Sequence, residues 1–364
     1  MRIDGLGASW PRHDAAQEEA AEYHARLSGL DAARGRVLRT LYRRSGVDRR
    51  GSVLLRRADG TLDDRQDFYR PVRDEGDRGP TTAARMAIYE RHAPDLAARA
   101  SRRALEHAGA RPSEVTHVVT VSCTGFVSPG VDASLVQELG VPSGAERTAV
   151  GFMGCHGALN GLRVARALTE ADPGAVVLVA AVELCSLHLA YGWDPDALVA
   201  NALFADGAGA ALCRGDAASP GGERGWAVCA TGALLLPDSA EDMTWRVGDH
   251  GFRMTLSARV PDLIRARLGG WLRSWLGGHG LGIGDVASWA VHPGGPRILD
   301  AVEEAAGLPD GSLEVSRDVL REHGNMSSAT ILFILERLRA RGARTPCVAL
   351  GFGPGLVFEA ILFG

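Results

Sequence analysis

The chain has 364 residues, 46% hydrophobic and 23% charged, which is enough to bury a large core in two halves and is ordinary for a soluble globular enzyme. Its formal net charge of −4 argues against a nucleic-acid binder, and all 40 basic residues are arginine, which excludes a lysine Schiff base or a P-loop lysine. Six cysteines, at 123, 155, 185, 213, 229 and 347, form no C-x-x-C pair, so neither a zinc site nor a disulfide framework is expected.

The N-terminus is polar from Arg12 to Glu22 and carries no apolar signal region. No apolar run reaches the roughly 18 residues of a membrane span, and a reducing cytosol fits best. Residues 15–45 read as one or two helices, with Ala20, Leu27, Leu30, Val37, Leu38 and Leu41 apolar. Residues 51–82, rich in Arg, Asp and Gly, predict surface loops with little regular structure. A long helix over 82–109 follows, with Gly109 as its C-cap.

From there the pattern alternates. Strand-like runs lie at 116–122, 175–182, 208–213, 226–235, 287–292, 347–351 and 356–362. Helical spacing covers 131–139, 156–171, 196–203, 257–276, 295–307 and 326–341. Interleaving of this kind predicts an α/β fold layered around a largely buried sheet. The continuously apolar 176–182 run reads as a strand covered on both faces. A Gly/Asp/Pro-rich stretch at 215–225 is the best boundary, dividing the chain into halves 1–220 and 221–364. Both halves carry a strand, a reactive-type residue at its end and a following helix, as a duplicated architecture would.

Three segments carry chemistry. In Val150-Gly-Phe-Met-Gly-Cys155-His-Gly-Ala-Leu-Asn-Gly161, Cys155 sits at the mouth of a helix whose apolar face is Ala158, Leu162, Ala165 and Leu168. Free N–H groups and the positive dipole end favour a thiolate there. Gly154 and Gly157 leave room for a substrate to approach the sulfur. In Val291-His292-Pro-Gly-Gly-Pro-Arg-Ile-Leu299, His292 ends an apolar run and enters a Gly/Pro turn, a position suited to a site. In Gly324-Asn325-Met-Ser327-Ser-Ala-Thr, Asn325 precedes an apolar helix, where it also reads as an ordinary N-cap. Gly351-Phe352-Gly353-Pro354-Gly355 reads as a tight turn between two terminal strands. A thiol, an imidazole and an amide together supply a nucleophile and donors to an oxyanion or enolate.

These four motifs, in this order, resemble the signatures of type III polyketide synthases, the chalcone synthase-like superfamily. Further matches run from about Arg36 to the C-terminus. The resemblance implies a thiolase-like αβαβα layered fold built from two similar halves, and a homodimer. It implies that Cys155 takes a starter acyl group from an acyl-CoA and holds the growing chain. His292 and Asn325 would bind the malonyl-CoA carbonyl, promote decarboxylation and stabilise the enolate. Because decarboxylation supplies the carbanion, no metal or organic cofactor is implied. Phe204 aligns with a gatekeeping aromatic, and Arg36, Arg39, Arg43, Arg44, Arg49 and Arg50 lie near the expected CoA entrance, where arginines suit phosphates.

The cavity positions depart from the plant pattern. Met254 stands where plant enzymes carry a second gating Phe, and Trp245 aligns with a small glycine, so it should fill volume. Cys123 matches the bacterial branch, which has Cys where plant enzymes have Thr. Cys185, His188, Ser327 and the Gly351–Gly355 residues fall at cavity positions, and Ser128 lies on the loop that in this family reaches the neighbouring subunit's cavity. The product expected is a small pyrone or a phenolic or resorcinolic ring. Two rivals remain at this point. One is a single-condensing β-ketoacyl carrier-protein synthase of the same fold, which would require carrier-bound malonate. The other is a non-catalytic partner of another synthase, against which all three catalytic residue types are present. Among the six cysteines, Cys155 is expected to alkylate fastest near neutral pH, with Cys123 and Cys185 as competitors.

Overall fold

The computed structural model describes residues 1–364 except 75, 216 and 219–224, so the predicted boundary at 215–225 falls mainly outside the described residues. The first part of the chain forms β1 (Arg2–Ser9), β2 (Asp14–Ala16), α1 (Gln17–Leu27), α2 (Ala32–Arg43), β3 (Arg49–Gly51), a one-turn α3 (Leu62–Arg65) and α4 (Thr82–Ala108). There follow β4 (His117–Ser122), α5 (Val131–Leu139), β5 (Glu146–Gly151), α6 (Gly157–Ala171), β6 (Val176–Leu184), α7 (Pro195–Leu203) and β7 (Asp206–Arg214). Next are β8 (Trp226–Leu235), β9 (Met243–Gly248), β10 (Gly251–Leu256), α8 (Val260–Gly277) and β11 (Ser288–Val291). The chain closes with α9 (Pro296–Ala306), α10 (Glu314–His323), α11 (Thr330–Ala340), β12 (Cys347–Gly353) and β13 (Val357–Phe363).

Among the described residues nine strands form one sheet in the order β11-β12-β13-β8-β1-β7-β6-β4-β5. Its two flanks repeat one design. From β1 outward, β7 is antiparallel, β6 antiparallel and β4 parallel; from β8 outward, β13, β12 and β11 follow the same senses. Helices α6 and α11 lie between the flanks. α6 touches β4 and β6 on one side and β12 and β13 on the other, while α11 touches β1 and β7, then β11 and β12. Outside them, α4 and α5 cover the first flank. α8 and α9 cover the second, with Ile264, Leu268, Leu299 and Val302 packed on Trp289, Val348 and Phe358. The layers therefore run α–β–α–β–α, as expected.

Every residue of β6, β7 and β12 is buried, which follows from cover on both faces. Burying each Val or Leu of β6 contributes about 1.5–3 kcal/mol, so these strands anchor the loops at their ends. α4 stops where predicted, at Gly109 in the left-handed region with φ 61°. The predicted 326–341 helix begins only at Thr330, because Asn325 forms a β-bridge with Phe204 and residues 327–329 make a 3₁₀ turn. Residues 51–82 are not simply surface loops: Leu55, Leu62 and Tyr69 are buried against Tyr23 and Leu27 of α1. Among the described residues no helix is long and apolar enough to cross a membrane.

Candidate active site

Cys155 lies in the tight turn between β5 and α6. The turn needs left-handed backbone at Phe152, φ 58°, and Gly154, φ 77°, before a 3₁₀ turn over Gly154–His156 leads into α6. Strand β12 presses on this turn from the other half. A Cβ on Gly154 would lie 2.1 Å from Pro354 Cδ, and one on Gly353 would lie 2.2 Å from His156 Cδ2. Two expectations are corrected here. Gly154 and Gly157 make room for protein rather than substrate, since a Cβ on Gly157 would meet Val121 Cγ1 at 2.9 Å. Gly351, Phe352 and Gly353 are not a turn but the end of β12, paired with Glu359, Phe358 and Val357; the turn begins at Pro354. Gly351 and Gly353 have no side chain, which lets the strand pass close to His156 and Met153 beside the nucleophile.

His292 follows β11, and its backbone N–H continues the ladder to the Leu350 carbonyl at 2.8 Å. It is buried, and neither ring nitrogen has a hydrogen-bond partner. Burial, aided by repulsion from His156, lowers its pKa to about 3, so the ring is neutral. Asn325 is pinned through its backbone, donating to the Leu203 carbonyl and accepting from Ala205 N–H, each at 2.9 Å. Its Oδ1 accepts from Ser327 N–H at 2.8 Å, which leaves the NH₂ end for other work. The Asn325 side chain and the Ser327 hydroxyl, 3.6 Å away, both hydrogen-bond to the Cys155 sulfur. Cys155, His292, Asn325, Phe204, Met254 and Phe352 together border a recess of about 20 Å³, room for one small group.

Beneath this recess lies a carboxylate that sequence patterning did not single out. Glu183 is fully buried and accepts from Cys123 N–H, from Thr124 Oγ1 at 2.7 Å and from the Ser328 hydroxyl. Burial raises its pKa, opposed by these donors. Its only sequence signal is a charge at the end of an otherwise apolar strand. Cys123 in turn accepts from Gly154 N–H at 3.0 Å, which ties the Glu183 network to the turn that carries Cys155.

A larger cavity of about 290 Å³ opens beside the sulfur. Cys123, Cys185, His188, Trp245, Met254, Ser327 and Pro354 line it, and Phe204 borders both this cavity and the recess. Trp245 and Met254 are cross-strand partners on the β9–β10 hairpin, and Trp245 Nε1 donates to the Cys123 carbonyl at 2.8 Å. His188 has both nitrogens engaged, with Nδ1 accepting from Phe252 N–H and Nε2 bonded to the Thr124 carbonyl. It stacks on Phe252 at 4.2 Å, so it serves as wall rather than acid or base.

Sequence profiles for chalcone and stilbene synthases match the chain twice, the N-terminal domain over residues 2–217 and the C-terminal domain over 227–364. The chain belongs to this family, the type III polyketide synthases. A 1,3,6,8-tetrahydroxynaphthalene synthase of Streptomyces peucetius subsp. caesius is 36% identical over 99% of this chain and 92% of its own length. The alpha-pyrone synthesis polyketide synthase-like Pks18 of Mycobacterium tuberculosis is 33% identical over 99% and 90%. Among solved structures, PKS-I of the brown alga Ectocarpus siliculosus superposes with a TM-score of 0.91 at 30% identity, covering 99% of this chain and 97% of that one.

In this polyketide synthase the remaining predicted residues scatter. Ser128 is exposed and away from its own chain's cavity, and Gly355 forms the turn after β12, donating to the Met243 carbonyl at 2.9 Å. Arg36, Arg43 and Arg44 are exposed on or beside α2. Arg39 pairs with Glu22 at 3.1 Å and Arg49 with Asp14. None of these five borders the cavity, whereas Arg50 does, donating to the Asn201 and Phe204 carbonyls.

Burial opposes the thiolate expected at Cys155, pushing the thiol up to about 12 against the Ser327 and Asn325 donors, with Glu183 adding to the rise. A thiol raised in this way gains thiolate only as pH climbs, and the donors to the sulfur set how far. Ser327→Ala, which removes one of them, is therefore expected to move the alkylation midpoint of Cys155 upward by about one pH unit or less. Peptide mapping of iodoacetamide adducts across pH measures it, and superimposable profiles would mean that Ser327 does not hold the thiolate.

Proposed function

We propose that Cys155 is the acyl acceptor and that His292 and Asn325 are the decarboxylation site of an iterative synthase. Cys155 Sγ attacks the starter thioester; the acyl–sulfur bond to CoA breaks as the bond to Cys155 forms, and the thiol proton ends on CoA. The malonyl-CoA thioester oxygen then accepts from His292 and the Asn325 amide. Loss of CO₂ leaves an enolate, which attacks the Cys155-bound acyl carbon; the acyl–Sγ bond breaks, freeing Cys155. The extended chain, now a CoA thioester, is transferred back to Cys155 with release of CoA for the next round. The observation that carries this reading is a narrow recess bordered by one thiol, one amide NH₂ and two unpartnered imidazole nitrogens. Buried groups without partners are costly, and a ligand oxygen would satisfy them. Cyclisation to a small pyrone or a phenolic or resorcinolic ring completes the reaction.

The same reading includes a homodimer acting in a reducing cytosol. The outer edge of β5 is exposed next to exposed Phe126, 52% accessible, and Met153, which favours a second copy there. Ser128 lies on the adjoining loop. The matched profiles meet between residues 217 and 227, which supports a Cys-bearing half and a His- and Asn-bearing half divided near residue 220.

Mass spectrometry of products from malonyl-CoA with a panel of acyl-CoA starters tests the function. Polyketides whose masses give starter and extension number are expected. Turnover only with carrier-bound malonate would overturn the reading in favour of a carrier-dependent synthase. Within the cavity, Trp245→Gly is expected to raise kcat/KM for bulkier starters by about tenfold and to lengthen products, because the indole occupies the space beside Met254. Unchanged starter preference and chain length would remove the steric role of Trp245.

A further inference from the structure

Behind the cavity wall made by Cys185, His188, Trp245 and Met254 lies a buried cation. Arg85, near the start of α4, is fully buried, and among the described residues it pairs with no carboxylate. Its acceptors are neutral oxygens from three segments. Nε donates to the Pro80 carbonyl at 2.9 Å. Nη1 donates to the Tyr69 hydroxyl at 3.0 Å, to the Leu189 carbonyl at 3.1 Å and to the Leu187 carbonyl. The Tyr69 hydroxyl extends the hold, donating to the Ser186 carbonyl at 2.8 Å. The 3₁₀ turn Cys185–His188 is thus held from behind, through carbonyls within it and just after it.

The same helix end anchors the β9–β10 hairpin. Thr82 N–H donates to the Asp249 carbonyl at 2.7 Å, and Thr82 Oγ1 donates to the Gly248 carbonyl. Gly251 N–H returns a bond to Thr82 Oγ1 at 2.8 Å. Gly251, with φ 100°, lies against the guanidinium, since an added Cβ would stand 2.9 Å from Arg85 Cζ. The two walls join where Phe252 N–H donates to His188 Nδ1 at 3.0 Å, beside the stacked rings of the same residues.

Burying a charge without a carboxylate is costly, and an apolar side chain of similar volume would pack here without that cost. An apolar chain lacks the planar fork that binds several oxygens in fixed geometry. Nη2 is also left without a partner, so filling space does not account for the residue. Resting on the synthase reading above, we propose that Arg85 is a positioning residue for the polyketide cavity. It locks the Cys185–Leu189 segment to the β9–β10 hairpin, fixing the space the growing chain can fill and hence the number of extensions. His292 and Asn325 are anchored elsewhere, through Leu350, Leu203 and Ala205, so decarboxylation does not depend on this lock.

The test compares wild type with Arg85→Met, Arg85→Lys and Tyr69→Phe, using acetyl-CoA and malonyl-CoA. Arg103→Met serves as control, because Arg103 lies on the same helix but bonds the Ala8 carbonyl, away from the cavity. Tyr69→Phe removes a single hydroxyl, which keeps the test open where a buried Arg85 variant fails to fold. The ratio of products differing in extension number is expected to shift by about threefold or more, with CO₂ release held within about twofold. Arg85→Lys, which keeps a charged donor, should fall between wild type and Arg85→Met. Hydrogen exchange in peptides covering 184–190 and 248–254 should quicken by about tenfold in Arg85→Met and stay unchanged in Arg103→Met. An unchanged product ratio in folded Tyr69→Phe would overturn the assignment. So would an equal shift in Arg103→Met, faster exchange at one wall alone in Arg85→Met, or product and CO₂ falling together at constant ratio. A wild type that forms no polyketide sinks the synthase reading and the effect on products with it, whereas unchanged exchange in Arg85→Met sinks the lock alone.

Discussion

Cys155→Ala is expected to lower polyketide formation by about 10³-fold or more, because removing a nucleophile that acts with its partners as a unit forfeits nearly all of their joint effect. Two other thiols line the same cavity, yet neither can replace it. Cys123 Sγ is occupied by Gly154, accepting from its N–H and donating to its carbonyl, and neither Cys123 nor Cys185 borders the recess that Cys155 shares with His292 and Asn325. Decarboxylation should survive in this variant, since His292 and Asn325 keep their backbone anchors. The paired measurement is CO₂ release from malonyl-CoA beside product mass. Full condensation in Cys155→Ala, or loss of both activities in a folded protein, would contradict the division of labour.

The complementary result is a fall of about 10²–10³-fold in malonyl-CoA decarboxylation for His292→Leu and for Asn325→Asp. Asn325→Asp keeps the acceptor that holds Ser327 N–H but replaces the donor with a carboxylate, which repels an enolate. Acylation of Cys155 by a starter, read by intact mass, is expected to persist in Asn325→Asp. His292→Leu carries a second signature. Its imidazole buries two unpartnered nitrogens, each costing about 1–3 kcal/mol, so the variant should melt no lower than wild type. A residue kept for packing would give the opposite: lost stability with retained decarboxylation.

Much of this site was legible in the sequence, because Cys155, His292 and Asn325 each sit where an element ends and glycines turn the chain. What eluded patterning has physical causes. β1 is absent from the predicted strands, and Gly5 and Gly7 interrupt its run. Those glycines are required by α4, whose carbonyls of Ala104 and Ala100 would lie 2.0 and 2.3 Å from an added Cβ. Tertiary approach overrode β-propensity there. The short amphipathic α10 was missed although Val315, Val319 and Leu320 repeat at helical spacing. Glu183 was invisible as a site residue because its meaning comes from Cys123, Thr124 and Ser328, which only the sheet brings to it. The segment at 51–69 looked polar because its apolar residues are few, and Leu55, Leu62 and Tyr69 are buried only because α1 packs on them.

β1 sits in the middle of the sheet, where Arg2 faces Arg214 on one side and Ala227 on the other. It also precedes both neighbours in the chain, ending at Ser9 where β7 begins only at Asp206, and so leaves the ribosome long before either exists. The centre of the sheet must therefore close last, over the longest loops in the molecule, which slows folding. Until then the nascent chain carries an unpaired, glycine-rich strand exposed to misassembly. Yield from cells should consequently depend more on synthesis rate and chaperone supply than on the stability of the finished fold.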